Sequence, residues 1–154
     1  MSWATMRAAV KDRLDGLTIS TPVAQTLKAY EYAPGGRQDL TVWPYAFPLP
    51  LGRNVHRDNG EQRVTTVPFT WRVMLAPRAQ AVDMQRVHQL YDAWCDALVA
   101  AFDDAVALDE TVDYVDSQEF QPLQLFLDLD VGWGFDMVLQ EAVMTEIIAG
   151  GFGG

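Results

Sequence analysis

The segment from Gln62 to Ala76 constrains the fold of this chain more than any other. Val67, Phe69, Trp71, Val73 and Leu75 take every second position, with Thr66, Thr70 and Arg72 between them. A period of two sends successive side chains to opposite faces of a strand, so these large apolar groups share one face. Such a face needs cover, and such a backbone needs neighbouring strands to satisfy its N–H and C=O groups. The chain must therefore supply more strands and at least one apolar-striped helix.

The helix follows the strand. Across Val82–Phe102, the residues Met84, Val87, Tyr91, Trp94, Leu98 and Phe102 recur at helical spacing, with Arg86, Gln89 and Asp96 away from them. A methionine and aromatic stripe of this kind is packing surface rather than a cofactor box. A first helix is expected over Ser2–Asp15, where Trp3, Met6, Val10 and Leu14 form a stripe. Ser2 is placed as its N-cap and Gly16 as its stop.

Between the helices, Val23–Tyr32 alternates two faces before the turn Pro34-Gly35-Gly36. Leu40–Phe47 is strand-like but carries Pro44, which cannot donate to a ladder and marks an edge, a bulge or an interruption. A long polar connection runs from Pro48 to Glu61, with turn chemistry at Asp58-Asn59-Gly60. It holds Arg53, His56 and Arg57, with Arg63 just beyond. A loop of this length in a compact domain is functional or mobile. After the second helix, strands are expected at Thr111–Val115, Leu123–Val131 and Phe135–Ile148, with Gly132-Trp133-Gly134 as a turn between the last two. The β-branched weight of Val138, Val143, Thr145, Ile147 and Ile148 favours strand over helix in the last of these. Ala149–Gly154 reads as a flexible glycine-rich tail. The expected fold is α+β: one domain over 1–148, a mainly antiparallel β-sheet with both α-helices packed on one face.

Charge is unevenly spread along this domain. Residues 1–78 hold ten of the eleven Lys and Arg against six Asp and Glu, a balance of +4. Residues 79–154 hold Arg86 alone against fifteen acids, a balance of −14. Soluble domains usually intersperse the two signs. Segregation in one fold gives faces of unlike sign, and unlike faces attract the next copy head to tail, a contact that closes into a ring if its rotation permits. The plainer alternative is a solvated acidic surface. The net charge of −10 argues against general nucleic-acid binding, which needs a basic face. No stretch approaches the ~20 apolar residues of a membrane span, and no apolar run of signal-peptide length opens the chain. The single cysteine, Cys95, excludes an intrachain disulfide framework.

Catalytic patterns are weak. The run Leu125-Phe-Leu-Asp128-Leu-Asp130 resembles the first motif of haloacid-dehalogenase-like phosphatases, where one carboxylate attacks and the next is a general acid. That chemistry also needs a downstream Lys or Arg, and none follows Asp130. Polar positions of an alternating strand explain the pair better. The acids Asp103, Asp104, Asp109, Glu110, Asp113 and Asp116 lack the glycine and terminal glutamate of a calcium loop. His88, Asp92 and Cys95 lie on adjacent helical turns, but with no second cysteine a structural zinc site is poorly supplied. No catalytic group, metal or cofactor is expected.

With this element order, the chain resembles the tail terminator (tail completion) proteins of long-tailed bacteriophages over roughly residues 2–148. The shared plan is an opening helix (Trp3, Met6, Val10, Leu14), strands around a charged loop (Arg53–Gln62), a long amphipathic helix and closing strands. The resemblance implies a virion protein: a homo-oligomeric ring, commonly hexameric, that caps the tail tube protein and presents its other face to the head-side connector protein. It implies a lumen through which DNA passes without specific binding, no membrane partner, and assembly in the host cytoplasm. Arg53, His56, Arg57 and Arg63 are the expected subunit or partner contacts. A head-to-tail connector of the neck is the near alternative. From other classes, a small acidic inhibitor or immunity protein would also be strongly negative, and a hydrolase would gather perturbed carboxylates around Asp128 and Asp130.

Overall fold

The computed structural model describes residues 3–33, 43–50, 54–58, 62–77, 83–103, 117–125 and 132–147. In chain order these form α1 (Trp3–Leu14), β1 (Thr18–Ile19), β2 (Gln25–Thr26), β3 (Lys28–Ala29), β4 (Tyr45–Pro48), β5 (Asn54–Asp58), β6 (Gln62–Pro77), α2 (Met84–Phe102), β7 (Ser117–Leu125) and β8 (Gly132–Ile147). The main sheet runs β3-β4-β6-β8-β7, and β5 also pairs with β6; β1 and β2 form a separate antiparallel pair. Apart from the parallel β3–β4 contact, every pairing is antiparallel.

Both helices lie on one face of this sheet. The core joins Met6, Val10 and Leu14 of α1, Leu90, Trp94, Leu98 and Phe102 of α2, and the inward residues Phe69, Trp71, Val73 and Leu75 of β6 with Phe135, Met137 and Leu139 of β8. The alternation in Gln62–Ala76 thus faces the helices as its period requires. The fold is α+β. Within α2 the apolar stripe begins one turn late: Met84 is 42% exposed, and Leu90, outside the expected stripe, is buried.

Local ties fix the helix ends. Asp83 caps α2, its carboxylate accepting from the backbone N–H of Gln85 at 3.0 Å and of Arg86 at 3.4 Å. Gly16 stops α1 at φ +88°, a conformation that a Cβ would strain. The Asp15 carboxylate accepts from the Ala29 N–H at 3.0 Å, joining the end of α1 to β3. The Trp94 indole N–H donates to the Gln25 side-chain oxygen at 3.0 Å, which tethers β2 to α2.

The central ladder is longer than either neighbour. β6 pairs with β8 from Gln62↔Ile147 to Pro77↔Gly132, with irregularities between Val67 and Phe69 and between Met74 and Ala76. β4 covers β6 only at Trp71–Met74, and β7 covers β8 only as far as Gln140. Beyond that body, the first half of β6 continues between β5 and the last part of β8 as a three-stranded arm. Six residues separate Phe69, under the helices, from Arg63, a distance of about 20 Å along a strand.

Several boundaries differ from expectation. Val23–Tyr32 is two short strands rather than one, because Leu27 leaves the sheet to bond Leu17 and Gly16 through its backbone. Pro44 stands just before β4, which pairs on both sides and is no edge. Gly132-Trp133-Gly134 is not a turn but the opening of β8. A Cβ on Gly134 would lie 2.4 Å from the Val73 carbonyl oxygen, so the glycine permits close strand approach rather than reversal. Asp128, Asp130, Thr111–Val115, the N-cap Ser2 and the tail 149–154 lie outside the described residues.

Trp71 is fully buried, yet its indole N–H has no acceptor among the described residues. Trp71→Phe removes this donor while leaving most of the packing against Phe69, whose ring stands edge-on at 6.0 Å. The expected stability change is under about 1 kcal/mol, as relief of the orphan donor offsets lost contact. Trp71→Ala should cost about 3–5 kcal/mol. Urea midpoints of the two variants give the comparison, and a phenylalanine variant as weak as the alanine one would refute it.

Candidate subunit interface

The residues expected to make contacts do not sit on a loop. Asn54–Asp58 is strand β5, paired residue for residue with Gln62–Thr66. The expected mobile connection is therefore largely a strand paired antiparallel with the start of β6, because Val55-His56-Arg57 and Arg63-Val64-Thr65 alternate well enough to pair; Asn59 and Gly60 of the expected turn lie outside the described residues. Arg53 lies outside the described residues. His56 stands opposite Val64, and Arg57 opposite Arg63, in the β5–β6 ladder. On its other side Arg63 is opposite Glu146 of β8. Arg57 is exposed and Arg63 half-buried. Across β5 and β6 the two arginines are like charges that repel, while across β6 and β8 Arg63 faces the opposite charge of Glu146. The structure thus brings His56, Arg57 and Arg63 together at the end of the arm.

The acidic counterpart is the outer face of α2. Asp92 and Asp96 are one helical turn apart and exposed, and Asp103 is exposed at the helix end. None of the three has an ion-pair partner among the described residues. Like charges four residues apart destabilise a helix by a few tenths of a kcal/mol, and carboxylates near its C-terminus oppose the dipole. The last turn of α2 carries no basic residue to offset them.

The sheet face away from the helices is aromatic. Trp43, Tyr45 and Phe47 stand in a row, with ring centroids 4.8 Å and 6.0 Å apart. Tyr45 is buried by these neighbours and by Tyr30. Trp43 and Phe47 stay half-exposed. On the same face Arg72 donates two hydrogen bonds to Asp136, at 2.8 and 3.1 Å, across the register pair Arg72↔Asp136. This fork-to-fork pair had no signal in the sequence, since its members lie 64 positions apart.

An apolar cavity of about 310 Å³ lies between the start of α2 and the ends of β6, β7 and β8, walled by Leu75, Val87, Tyr91, Pro122 and Trp133. His88 and Tyr91 of α2 are its titratable lining residues. Further along α2, Tyr91 and Cys95 share a hydrogen bond. Burial holds the Tyr91 hydroxyl up to about 12 and the Cys95 thiol up to about 11. An unfolded chain releases these protons near 10 and 9, so it binds fewer protons than the folded one in that window. Stability therefore falls as pH rises from about 9 towards 12. Cys95→Ala should lose less between about pH 8 and about pH 10.5 than the parent chain, read from urea midpoints. Equal losses in both would remove the thiol from the explanation.

Among the described residues, no three His, Cys, Asp or Glu side chains are grouped to hold a metal ion. No helix among them is long and apolar enough to cross a membrane. No protein-family model matches the chain, and no curated protein matches it.

Proposed function

We propose that this chain is a structural subunit of a virion ring, the tail terminator that caps a phage tail tube and joins it to the head-side connector. The observation that carries the reading is the separation of charge: carboxylates without ion-pair partners among the described residues line the outer face of α2, while ten of the eleven Lys and Arg fall in residues 1–78. The two signs thus belong to different parts of the same subunit. Complementary unlike patches generate head-to-tail contacts, which close into rings. The acidic remainder suits a lumen that repels phosphate and lets DNA pass. The ring needs no catalytic residue, metal or cofactor.

Surface ion pairs alone are worth little, so apolar area must join them. Trp43, Phe47 and the 40%-exposed Val55 of the arm offer it. The ring should weaken as salt screens the charged contact. Reversing Arg53, Arg57 and Arg63 to Glu should block tail completion while leaving the circular dichroism of the subunit unchanged. The deciding measurement is mass spectrometry of purified virions together with negative-stain images of the tail end. Absence of the chain from virions would overturn the reading.

A further inference from the structure

The cavity between the start of α2 and the sheet has walls suited to an aromatic side chain. Tyr91 and Trp133 offer ring faces and edges, Leu75 and Val87 offer aliphatic contact, and Gly134 leaves depth because it has no side chain. Met84 stands at its rim, 42% exposed. A thioether beside an aromatic ring adds a favourable contact of its own. Apolar space of roughly 150 Å³ suffices for benzene. At about 310 Å³ this cavity takes a phenyl group with room for the backbone that carries it.

The chain carries such a group beyond β8. After Ile147 the sequence runs Ile-Ala-Gly-Gly-Phe-Gly-Gly, which puts Phe152 between pairs of glycines. Glycines let a backbone approach a rim closely, since they bring no side chain of their own. The cavity and the start of this segment lie at opposite ends of one strand. Thirteen residues of β8 separate Gly134, in the cavity wall, from Ile147, which is paired with Gln62 at the end of the arm. That is about 40 Å along the strand. The five further residues to Phe152 span at most about 18 Å. Phe152 is therefore too short by half to enter the cavity of its own subunit.

We infer that Phe152 of one copy inserts into the apolar cavity of a second copy, against Met84, Tyr91 and Trp133. The contact is heterologous, so each subunit gives one tail and receives one. Repetition makes a ring or an open helix according to its rotation. The insertion supplies apolar area that surface ion pairs lack. This rests on the ring reading above, and names the apolar anchor between neighbouring subunits.

Sedimentation equilibrium of the full chain, over a wide concentration range, reads the contact. Phe152→Ala should weaken self-association about thirtyfold, the effect of truncating a buried aromatic anchor. Met84→Glu should weaken it similarly by placing a charge at the rim. The site is exposed and in the first turn of α2, where the helix dipole favours an acid, so the fold should stay intact, as thermal melts would check. Both variants break one contact, so the double variant should be little weaker than either single. A second readout locates the seat. With p-benzoylphenylalanine in place of Phe152, in a mixture of unlabelled and heavy-nitrogen copies, photo-cross-links should join the tail of one copy to Met84 or Val87 of another. A parent chain that stays monomeric, single variants that associate like the parent, or losses that add in the double variant overturn the contact. Cross-links confined to one copy or to other surfaces overturn it too. Virion analysis separates this from the broader reading. Weakened association in both variants of a chain that is absent from virions would refute the virion role and leave the contact standing. A chain present in virions, whose Phe152→Ala variant associates and completes tails like the parent, would refute the contact alone.

Discussion

Arg72→Met is expected to lower the stability of this protein by about 3 kcal/mol, and its melting temperature by about 6–12 °C. Arg72 holds Asp136 through two hydrogen bonds, and the Asp136 side chain is only 10% exposed. Removing the guanidinium leaves a carboxylate with little water and no counter-charge, and that uncompensated group dominates the loss. The pair itself contributes less than its deletion suggests, because both ions gave up hydration to meet. Arg72→Met with Asp136→Leu should therefore recover most of the loss, and calorimetry of the two variants measures it. A single variant within 1 kcal/mol of the parent would mean that water reaches Asp136 freely.

Gly134→Val should be as damaging, for a steric reason. The first side-chain carbon would lie 2.4 Å from the Val73 carbonyl oxygen and 3.2 Å from the Met74 Cα, both backbone atoms that cannot swing aside. The strands must part locally, with a cost of about 3 kcal/mol or more. At Gly132 the nearest atom is the Met74 methyl, at 2.9 Å, the mobile tip of a flexible side chain. Gly132→Ala should accordingly be milder than Gly134→Ala. Chemical denaturation of the two alanine variants reads the order, and the reverse order would contradict this account of the ladder.

The two glycines also mark where the sequence was misleading. In a sequence, Gly-Trp-Gly carries the composition of a turn; in the fold it lies within a strand whose partner approaches closely. Nothing local separates these uses, since the deciding atoms belong to Val73 and Met74. What was legible came from repeated side-chain contrast: the alternation in Val67–Leu75, the stripe of α2, and the β-branched weight of Phe135–Ile148. The hairpin of β5 and β6 was hidden because its residues are polar, with only Val55 and Val64 to carry the alternation. The positive residues at that place were legible, but not their setting on a paired arm. Arg72–Asp136 was invisible, because it is made by segments that meet only after folding.

The position of β8 has a consequence for how the molecule is made. This strand lies in the interior of the sheet, between β6 and β7, yet β6 leaves the ribosome long before it. From Pro77↔Gly132 to Gln62↔Ile147, every rung of their shared ladder joins distant parts of the chain. Folding dominated by such non-local pairing is slow, on the order of milliseconds to seconds for small domains. Until β8 arrives, β6 has one open edge along its whole length, α2 has no complete floor, and the arm is a two-stranded hairpin, which is marginal in water. The nascent chain is then at its most adhesive, with an unpaired strand edge exposed. Synthesis of β8 supplies the third strand of the arm and closes the open edge together, so the arm matures only when the core beneath it does.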